Sequence, residues 1–269
     1  MSSALKKAIT RLRMKSVKSG VSGGAVGMID ARRNGWYRVD KSQLADGFPV
    51  GSQDILIDVG CGDGGIAKFA AEMGAQVIAT DIDPQAVART EKTLKRSGAT
   101  DYRVEMSDSN PLPVADAACT RIVCLEVLEH VDSPQQLMSE LVRVAKPGAL
   151  FLLAVPDERS EAIQQTLAPP AYWAKPNHVR IFSQADFGGL VEQAGLVIED
   201  RQFKSFFWAM WWTLFWAANQ EFGEREQPVL YHWSQTWNEL LKSKGGDQIA
   251  QKLDGLMPKS QVIIARKPA

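Results

Sequence analysis

The residues whose types and spacing could do chemistry cluster in the run Glu126-Val127-Leu128-Glu129-His130, with a second imidazole, His178, further along the chain. On a helical turn, positions i, i+3 and i+4 share a face, so Glu126, Glu129 and His130 can converge. Two carboxylates and an imidazole on one face suit two tasks. They can order a helix start and orient a polar substrate. Joined by His178, they can instead hold a hard divalent ion that keeps open positions for substrate. Only three histidines occur in the chain, and two of them fall in these segments. Without a metal, His130 or His178 would be the general base, since imidazole titrates near neutral pH.

The elements that must position these groups are organised around residues 55–83. Ile-Leu-Ile-Asp-Val-Gly-Cys-Gly-Asp-Gly-Gly leads into an apolar-periodic stretch over 66–73 and then into Gln-Val-Ile-Ala-Thr-Asp-Ile-Asp. A buried strand, a glycine turn, a helix and a second strand ending in carboxylates make the first half of a nucleotide-binding unit. Gly60, Gly62 and Gly64 or Gly65 let the backbone turn sharply and approach a ligand. Strands are expected near 54–59, 76–81, 101–106, 119–125, 149–155, 196–203 and 260–266, with helices near 64–74, 84–97, 133–145 and 184–194. That alternation predicts an α/β, doubly wound Rossmann-like sheet, mostly parallel, with helices on both faces. Glu126, Glu129 and His130 then follow the fourth strand, at the rim where such sheets hold ligands.

Gly60, Gly62 and Gly65 with Asp81 also fit the dinucleotide spacing Gly-x-Gly-x-x-Gly with an acid about twenty residues on. Asp58 discriminates, because a carboxylate at this strand end repels a pyrophosphate but can bind the ammonium of an amino-acid moiety. Here the chain closely resembles motif I of the class I S-adenosylmethionine-dependent methyltransferases, Asp-x-Gly-x-Gly-x-Gly. The resemblance continues through Pro111-Leu112-Pro113, Glu126 to Val131, Lys146-Pro147-Gly148 and His178 to Phe182. It implies a seven-stranded sheet with the last strand antiparallel, and S-adenosyl-L-methionine as cofactor. In that likeness Asp58, Gly60, Cys61 and Gly62 surround the methionine part and Asp81 grips the ribose hydroxyls. Asp108 meets the adenine amino group, with Ser109 and Ile82 flanking the ring and Leu125 among the contacts; Ser107, Asp108 and Ser109 leave that register open by one. Tyr37 and Arg38 stand where relatives carry a segment covering the cofactor. The Glu-x-x-Glu-His run with a later histidine is similar to ubiquinone-pathway catechol O-methyltransferases and to small-RNA terminal 2′-O-methyltransferases, whose metal holds a vicinal diol. That implies Mg²⁺ or Mn²⁺ on Glu126, Glu129, His130 and His178, with Glu129, His130 and His178 as the catalytic set.

With 45% hydrophobic residues, 23% charged residues and zero net charge, the chain is of globular type and nothing global points to nucleic acid. Cys61, Cys119 and Cys124 lack metal-ligand spacing, which suits a reducing cytosol, and no signal peptide is expected. Charge is uneven: before residue 34, eight basic residues stand against a single acid, Asp30. Residues 1–33 are expected to be a basic arm and linker, with 3–18 either an amphipathic helix lying on an anionic membrane surface or a solvated, partly disordered tail, and 19–27 a glycine- and serine-rich linker. Residues 34–203 form the methyltransferase core and 260–269 its last strand and tail. Between them 204–259 is a long insertion, a length that implies a function of its own.

Within it, residues 205–220 carry no charge and hold four of the eight tryptophans. A helix apolar on all sides must be buried in protein or lipid, and this one falls short of the roughly twenty residues that span a bilayer. Tryptophan favours the membrane interface, so in-plane membrane contact at the inner face is the first expectation, ahead of a substrate lid or subunit interface, and of plain core. Residues 231–256 read as ordinary helix. Together the basic arm, the aromatic insertion and the Glu and His set point to O-methylation of a vicinal diol on a hydroxyl-bearing small molecule, glycan or lipid-linked substrate. A sugar of a lipid-linked or surface polysaccharide comes first and a quinone-type catechol or lipid next. The alternative from another class is a non-catalytic nucleotide-fold scaffold at a membrane enzyme. Because no basic patch interleaved with aromatics lies near the site, no nucleic-acid partner is expected.

Overall fold

The structure, a computed structural model, describes residues 22–269. The helix or tail expected over 3–18 lies outside the described residues. The first described element is a helix, α1 (Gly23–Arg33), followed by a small antiparallel sheet of β1 (Trp36–Arg38), β2 (Gln43–Ala45) and β3 (Phe48–Pro49). The core then alternates β4 (Ile55–Val59), α2 (Gly65–Glu72), β5 (Gln76–Asp81), α3 (Pro84–Ser97), β6 (Tyr102–Met106), β7 (Cys119–Leu125), α4 (Pro134–Val144), β8 (Ala145–Pro156), α5 (Glu158–Gln165), α6 (Gln184–Gln193) and β9 (Val197–Lys204). Three further helices, α7 (Phe206–Ala217), α8 (Pro228–Lys242) and α9 (Gly246–Leu256), precede β10 (Ser260–Arg266).

One seven-stranded sheet runs β6-β5-β4-β7-β8-β10-β9, with β10 antiparallel to both β8 and β9 and the other pairings parallel. Its central strands are apolar on both faces. Ile57, Ile122, Phe151 and Ile263 pack on one side with Leu141 and Phe187 of the covering helices. Leu56, Val123, Leu152 and Ile264 pack on the other with Phe69 and Leu94. Two-sided burial is why these strands read as continuous hydrophobic runs rather than alternating ones. The chain leaves β4 toward β5 on one side and reaches β7 on the other, so a crevice opens at the carboxyl ends of β4 and β7. Asp58 to Gly62 and Leu125 to His130 share that crevice.

The insertion is helical, and with α1 and α5 it forms a cap beside the sheet. Residues 19–27, expected to be a linker, are corrected from residue 23 onward: Ser22 caps α1 by accepting from the Ala25 amide at 3.3 Å. The glycines are there for packing. A Cβ on Gly27 would lie 2.4 Å from the Trp208 ring, and one on Gly23 would lie 2.9 Å from Trp211 Nε1. Every residue of α7 except Ala217 is buried or half-buried. One of its faces joins Val26, Trp237, Leu241 and Ala250, and another joins Ala168 and Leu230. Protein thus covers α7 on two faces, with Phe207, Ala209, Phe215 and Trp216 buried. Among the described residues no helix is long and apolar enough to cross a membrane.

Candidate active site

The cofactor side is built within one β-turn-α-β unit. Gly60, Gly62 and Gly64 have φ of 78°, 56° and 76°, a region an L side chain enters only under strain. The Gly60 and Cys61 amides both donate to the Thr80 carbonyl, at 2.8 and 2.9 Å, which ties the turn to β5. Asp81 Oδ2 accepts from the Gly62 amide at 2.9 Å, and its Oδ1 accepts from the Asp83 amide at 2.9 Å. Asp58 lies buried at the end of β4. Next to Asp81, Ile82 is an apolar side chain left 71% exposed. Asp108 caps a turn by accepting from the Asn110 amide at 3.0 Å, Ser109 has φ of 65°, and Leu125 is half-buried at the end of β7. Burial pushes the Cys61 thiol up to about 12, so it is an inert neighbour of the turn.

Of the two N-terminal candidates, Tyr37 is brought to the turn and Arg38 is not. A Cβ on Gly65 would lie 3.7 Å from the Tyr37 hydroxyl, and burial, with the Asp58 charge second, pushes that phenol up to about 12. It therefore stays a hydrogen-bond donor. Arg38 instead bonds Asp40 at 3.2 Å.

The acceptor side is assembled from distant segments. At the end of β7, Glu126 takes φ of 57°. Its carboxylate is held by Lys259 Nζ and by the Ser260 hydroxyl, the latter at 2.8 Å. Desolvation opposes ionisation of Glu126, but the Lys259 ammonium and Ser260 outweigh it and hold the carboxyl below its ordinary value. Glu129 is fully buried, and neither of its oxygens has a hydrogen-bond partner. Burial first, and the Glu126 charge second, push its carboxyl well above the usual range.

His130 Nε2 lies 3.6 Å from Glu129 Oε1, and its Nδ1 lies 3.2 Å from the Pro176 carbonyl. Burial, then the neighbouring His178, lower the His130 pKa. His178 Nδ1 meets Glu161 Oε2 at 2.7 Å, and the two imidazole centroids are 5.0 Å apart. Arg180 is what brings the two segments together. Its guanidinium donates to the carbonyls of Leu128 at 3.0 Å, Asp132 at 2.9 Å and Val131, while the Val179 amide donates to the Glu129 carbonyl at 3.0 Å. Candidate ligand atoms of Glu129, His130 and His178 all lie within 4.8 Å of one another. Glu126, the other residue in the sequence-based ligand set, stands outside that group and faces Lys259.

The residue contacts are accompanied by a match to known proteins. The family model described as the methyltransferase domain matches residues 9–200. The chain belongs to that family. A protein of Mycolicibacterium smegmatis named "Probable S-adenosylmethionine-dependent methyltransferase" is 31% identical over 176 residues, covering 63% of this chain and 62% of that protein. The ubiquinone biosynthesis O-methyltransferase of Xanthomonas axonopodis pv. citri is 29% identical over 159 residues, covering 56% of this chain and 65% of that enzyme. The chain thus spans less than two thirds of the length of these relatives. Among solved structures, a geranyl diphosphate C-methyltransferase of Streptomyces coelicolor A3(2) shares the fold at a TM-score of 0.56 and 15% identity, over 91% of this chain and 79% of that one. A likeness at that identity concerns the fold alone.

S-adenosylmethionine is the cofactor expected of a methyltransferase domain, and the turn fits it. The positive-φ glycines bring the backbone close, Asp81 is locked by two amides beside them, and Ile82 offers an uncovered apolar surface for a ring. On the acceptor side the fold adds residues that sequence reading missed: Glu161, Lys259, Tyr172, Trp173 and Trp216. Tyr172 lies 5.0 Å from His178 and 4.7 Å from Trp216, and Trp173 lies 6.0 Å from His178. The cap's aromatic helix therefore reaches the site through Tyr172. None of these residues carries a spacing signal. Glu161 is an ordinary acid in a helix first turn, and Lys259 an ordinary lysine before a strand.

Proposed function

We propose that the chain is an S-adenosylmethionine-dependent O-methyltransferase acting on one hydroxyl of a vicinal pair, and that Glu129, His130 and His178 hold a divalent cation at the acceptor site. The observation that carries the metal reading is Glu129, whose two buried carboxyl oxygens have no hydrogen-bond partner and lie within 4.8 Å of candidate ligand atoms of two imidazoles. The Pro176 carbonyl accepts only, so the His130 Nδ1 carries hydrogen, and with that imidazole held toward its neutral form its Nε2 presents a lone pair to Glu129; His178 Nδ1 faces Glu161 Oε2 at 2.7 Å. Lone pairs gathered in a buried space call for a cation or for protonation of Glu129. Glu126 is paired with the Lys259 ammonium, and burial together with the Glu126 charge disfavours ionisation of Glu129 unless a cation joins it.

S-adenosylmethionine supplies a methyl group already activated on sulfonium when bound. A divalent cation on this oxygen and nitrogen set supplies Lewis acidity to a hydroxyl and a template for the diol. The chain's own residues do the rest. Asp58, the glycine turn and Asp81 orient the donor from the β4 side, and Glu129, His130 and His178 fix the acceptor from the β7 side. Tyr172, Trp173 and Trp216 keep that side dry and flat. Lys259 keeps Glu126 ionised and occupied, so that Glu129 is the carboxylate free to respond to a ligand.

The acceptor class is a ring bearing adjacent hydroxyls. A quinone-type catechol is the first reading, favoured by the names of the Xanthomonas relatives. A sugar of a lipid-linked or surface polysaccharide is the second, because aromatic side chains such as Tyr172 and Trp173 also stack on a sugar's apolar face.

Calorimetric titration of S-adenosylhomocysteine, with and without chelator, tests this together with elemental analysis for a divalent metal. Cofactor binding plus a metal lost in Glu129→Ala is the expected result. Binding without metal in the parent protein would leave the methyltransferase and move His178 to general base. Absence of cofactor binding would overturn the enzyme in favour of a scaffold.

A further inference from the structure

Glu161 belongs to neither half of the site as read from sequence. It sits in the first turn of α5, the cap helix whose start is fixed by Asp157 accepting from the Arg159 amide at 3.0 Å. Its residue is 1% exposed, one carboxylate oxygen takes the His178 Nδ1 at 2.7 Å, and the other is buried without a partner. A buried carboxylate is costly unless it is held or used. The Lys259 ammonium acts on it through space, but the hydrogen bond of that ammonium goes to Glu126 and, among the described residues, the one side chain bonded to Glu161 is His178.

The two imidazoles are held differently. His130 has a neutral backbone carbonyl at its Nδ1, at 3.2 Å, and is half-buried. His178 has the Glu161 carboxyl at its Nδ1, at 2.7 Å, is 7% exposed, and lies against Tyr172 and Trp173. A carboxylate behind an imidazole sets the tautomer, stops ring rotation and strengthens the opposite nitrogen as an electron-pair donor. Of the two histidines, His178 is thus the one built as a strong, fixed ligand.

We propose that Glu161 is a positioning residue: it holds His178 as the Nδ1–H tautomer with Nε2 toward Glu129, and so sets the affinity of this side-chain group for a divalent cation. The affinity part rests on the metal reading above; the tautomer part does not. Glu161 acts through His178 and is not itself assigned contact with substrate.

The test uses the full chain and Mn²⁺ alone as probe, with free Mn²⁺ read by electron paramagnetic resonance. Glu161→Gln keeps the shape and removes the charge; it is expected to weaken Mn²⁺ binding by about 10- to 100-fold while leaving S-adenosylhomocysteine affinity unchanged. Mn²⁺ affinity within twofold of the parent in Glu161→Gln, with binding lost in His178→Ala, would overturn the proposal and leave the metal reading intact. No Mn²⁺ binding by the parent protein would instead remove the metal reading and the affinity part with it. Long-range ¹H–¹⁵N correlation on the metal-free protein then decides the tautomer: His178 as Nδ1–H in the parent, and shifted toward Nε2–H in Glu161→Ala, supports it. The same tautomer in both proteins would refute it.

Discussion

The glycine turn after β4, the proposed cofactor side, and the Glu129, His130 and His178 group after β7, the proposed acceptor side, are held in opposite ways. At the turn the backbone amides are met within one β-turn-α-β unit: Gly62 by Asp81, Asp83 by Asp81, Gly60 and Cys61 by Thr80, although the Thr80 hydroxyl is buried without a partner. At the acceptor site Glu129 and His130 come from the end of β7, His178 from a loop, Glu161 from α5 and Lys259 from the edge of β10. Several of its buried polar atoms, in Glu129, Glu161, Trp173 and Trp216, have no hydrogen-bond partner. A turn whose amides are tied to the next strand is shaped before its ligand arrives. A site with unmet lone pairs is held at a cost in stability, which is what binding a ligand relieves.

The largest effect expected from that contrast is on turnover. Glu129→Gln should lower methyl transfer by about 100-fold or more while S-adenosylhomocysteine affinity stays within about threefold, as for loss of a ligand or an acid–base group. The metal-free variant should melt at the same temperature as the parent or higher, because an unsatisfied buried carboxylate is gone. A fall in melting temperature without loss of turnover would erase the distinction between the two halves.

Next in size, Asp81→Ala should act on the opposite half. Loss of charge-assisted hydrogen bonds worth about 1.5–3 kcal/mol corresponds to roughly 10- to 100-fold weaker S-adenosylhomocysteine binding by calorimetry. Mn²⁺ affinity should not change.

A third experiment carries the contrast into the cap. Asp30 is fully buried, bonded by Trp237 Nε1 at 2.7 Å, and burial raises its pKa from 3.8 to about 6 despite Trp237, Asn34 and Lys204. The folded state thus binds this proton more tightly than the unfolded chain. Its contribution is fully present below the unfolded value and is lost as pH rises through about 6. Asp254, raised to about 7 by burial, acts with the same sign. Asp30→Asn should therefore flatten the fall in stability between about pH 4 and 7, by on the order of 2 kcal/mol in denaturant titrations. An unchanged slope would show that Asp30 is not the titrating group.

The smallest effect is on the turn itself. Gly60→Ala places a side chain at φ 78° and a Cβ 2.3 Å from Val127 Cγ2. It should cost about 1–2 kcal/mol of stability from the left-handed backbone alone, with weaker cofactor binding. Stability equal to the parent would mean the turn is softer than its hydrogen bonds suggest.

The sequence by itself determined the α/β alternation, the sheet's parallel core and the place of the glycine turn. Those depend on local signals: apolar runs of strand length, glycines where φ is positive, and Asp81 one strand after Gly60. Helix α4 appeared within a residue or so of the expected 133–145 for the same reason. The family also followed from contiguous motifs.

Only the tertiary structure decided the rest. Glycines over 23–27 read locally as a linker, yet Gly27 is small because Trp208 lies against it. Residues 205–220 read as membrane-seeking because apolarity does not say what covers a surface, and here α1, α5, α8 and α9 pack against α7. The spacing of Glu126 and Glu129 reads as one face of a helical turn, but the chain there is a bend and turn with Glu126 at φ 57°, and Lys259, a partner 133 residues away, is what separates them into a paired carboxylate and an unpaired one. The acceptor site's charge balance is a property of burial and of long-range contacts, and neither is written in local spacing.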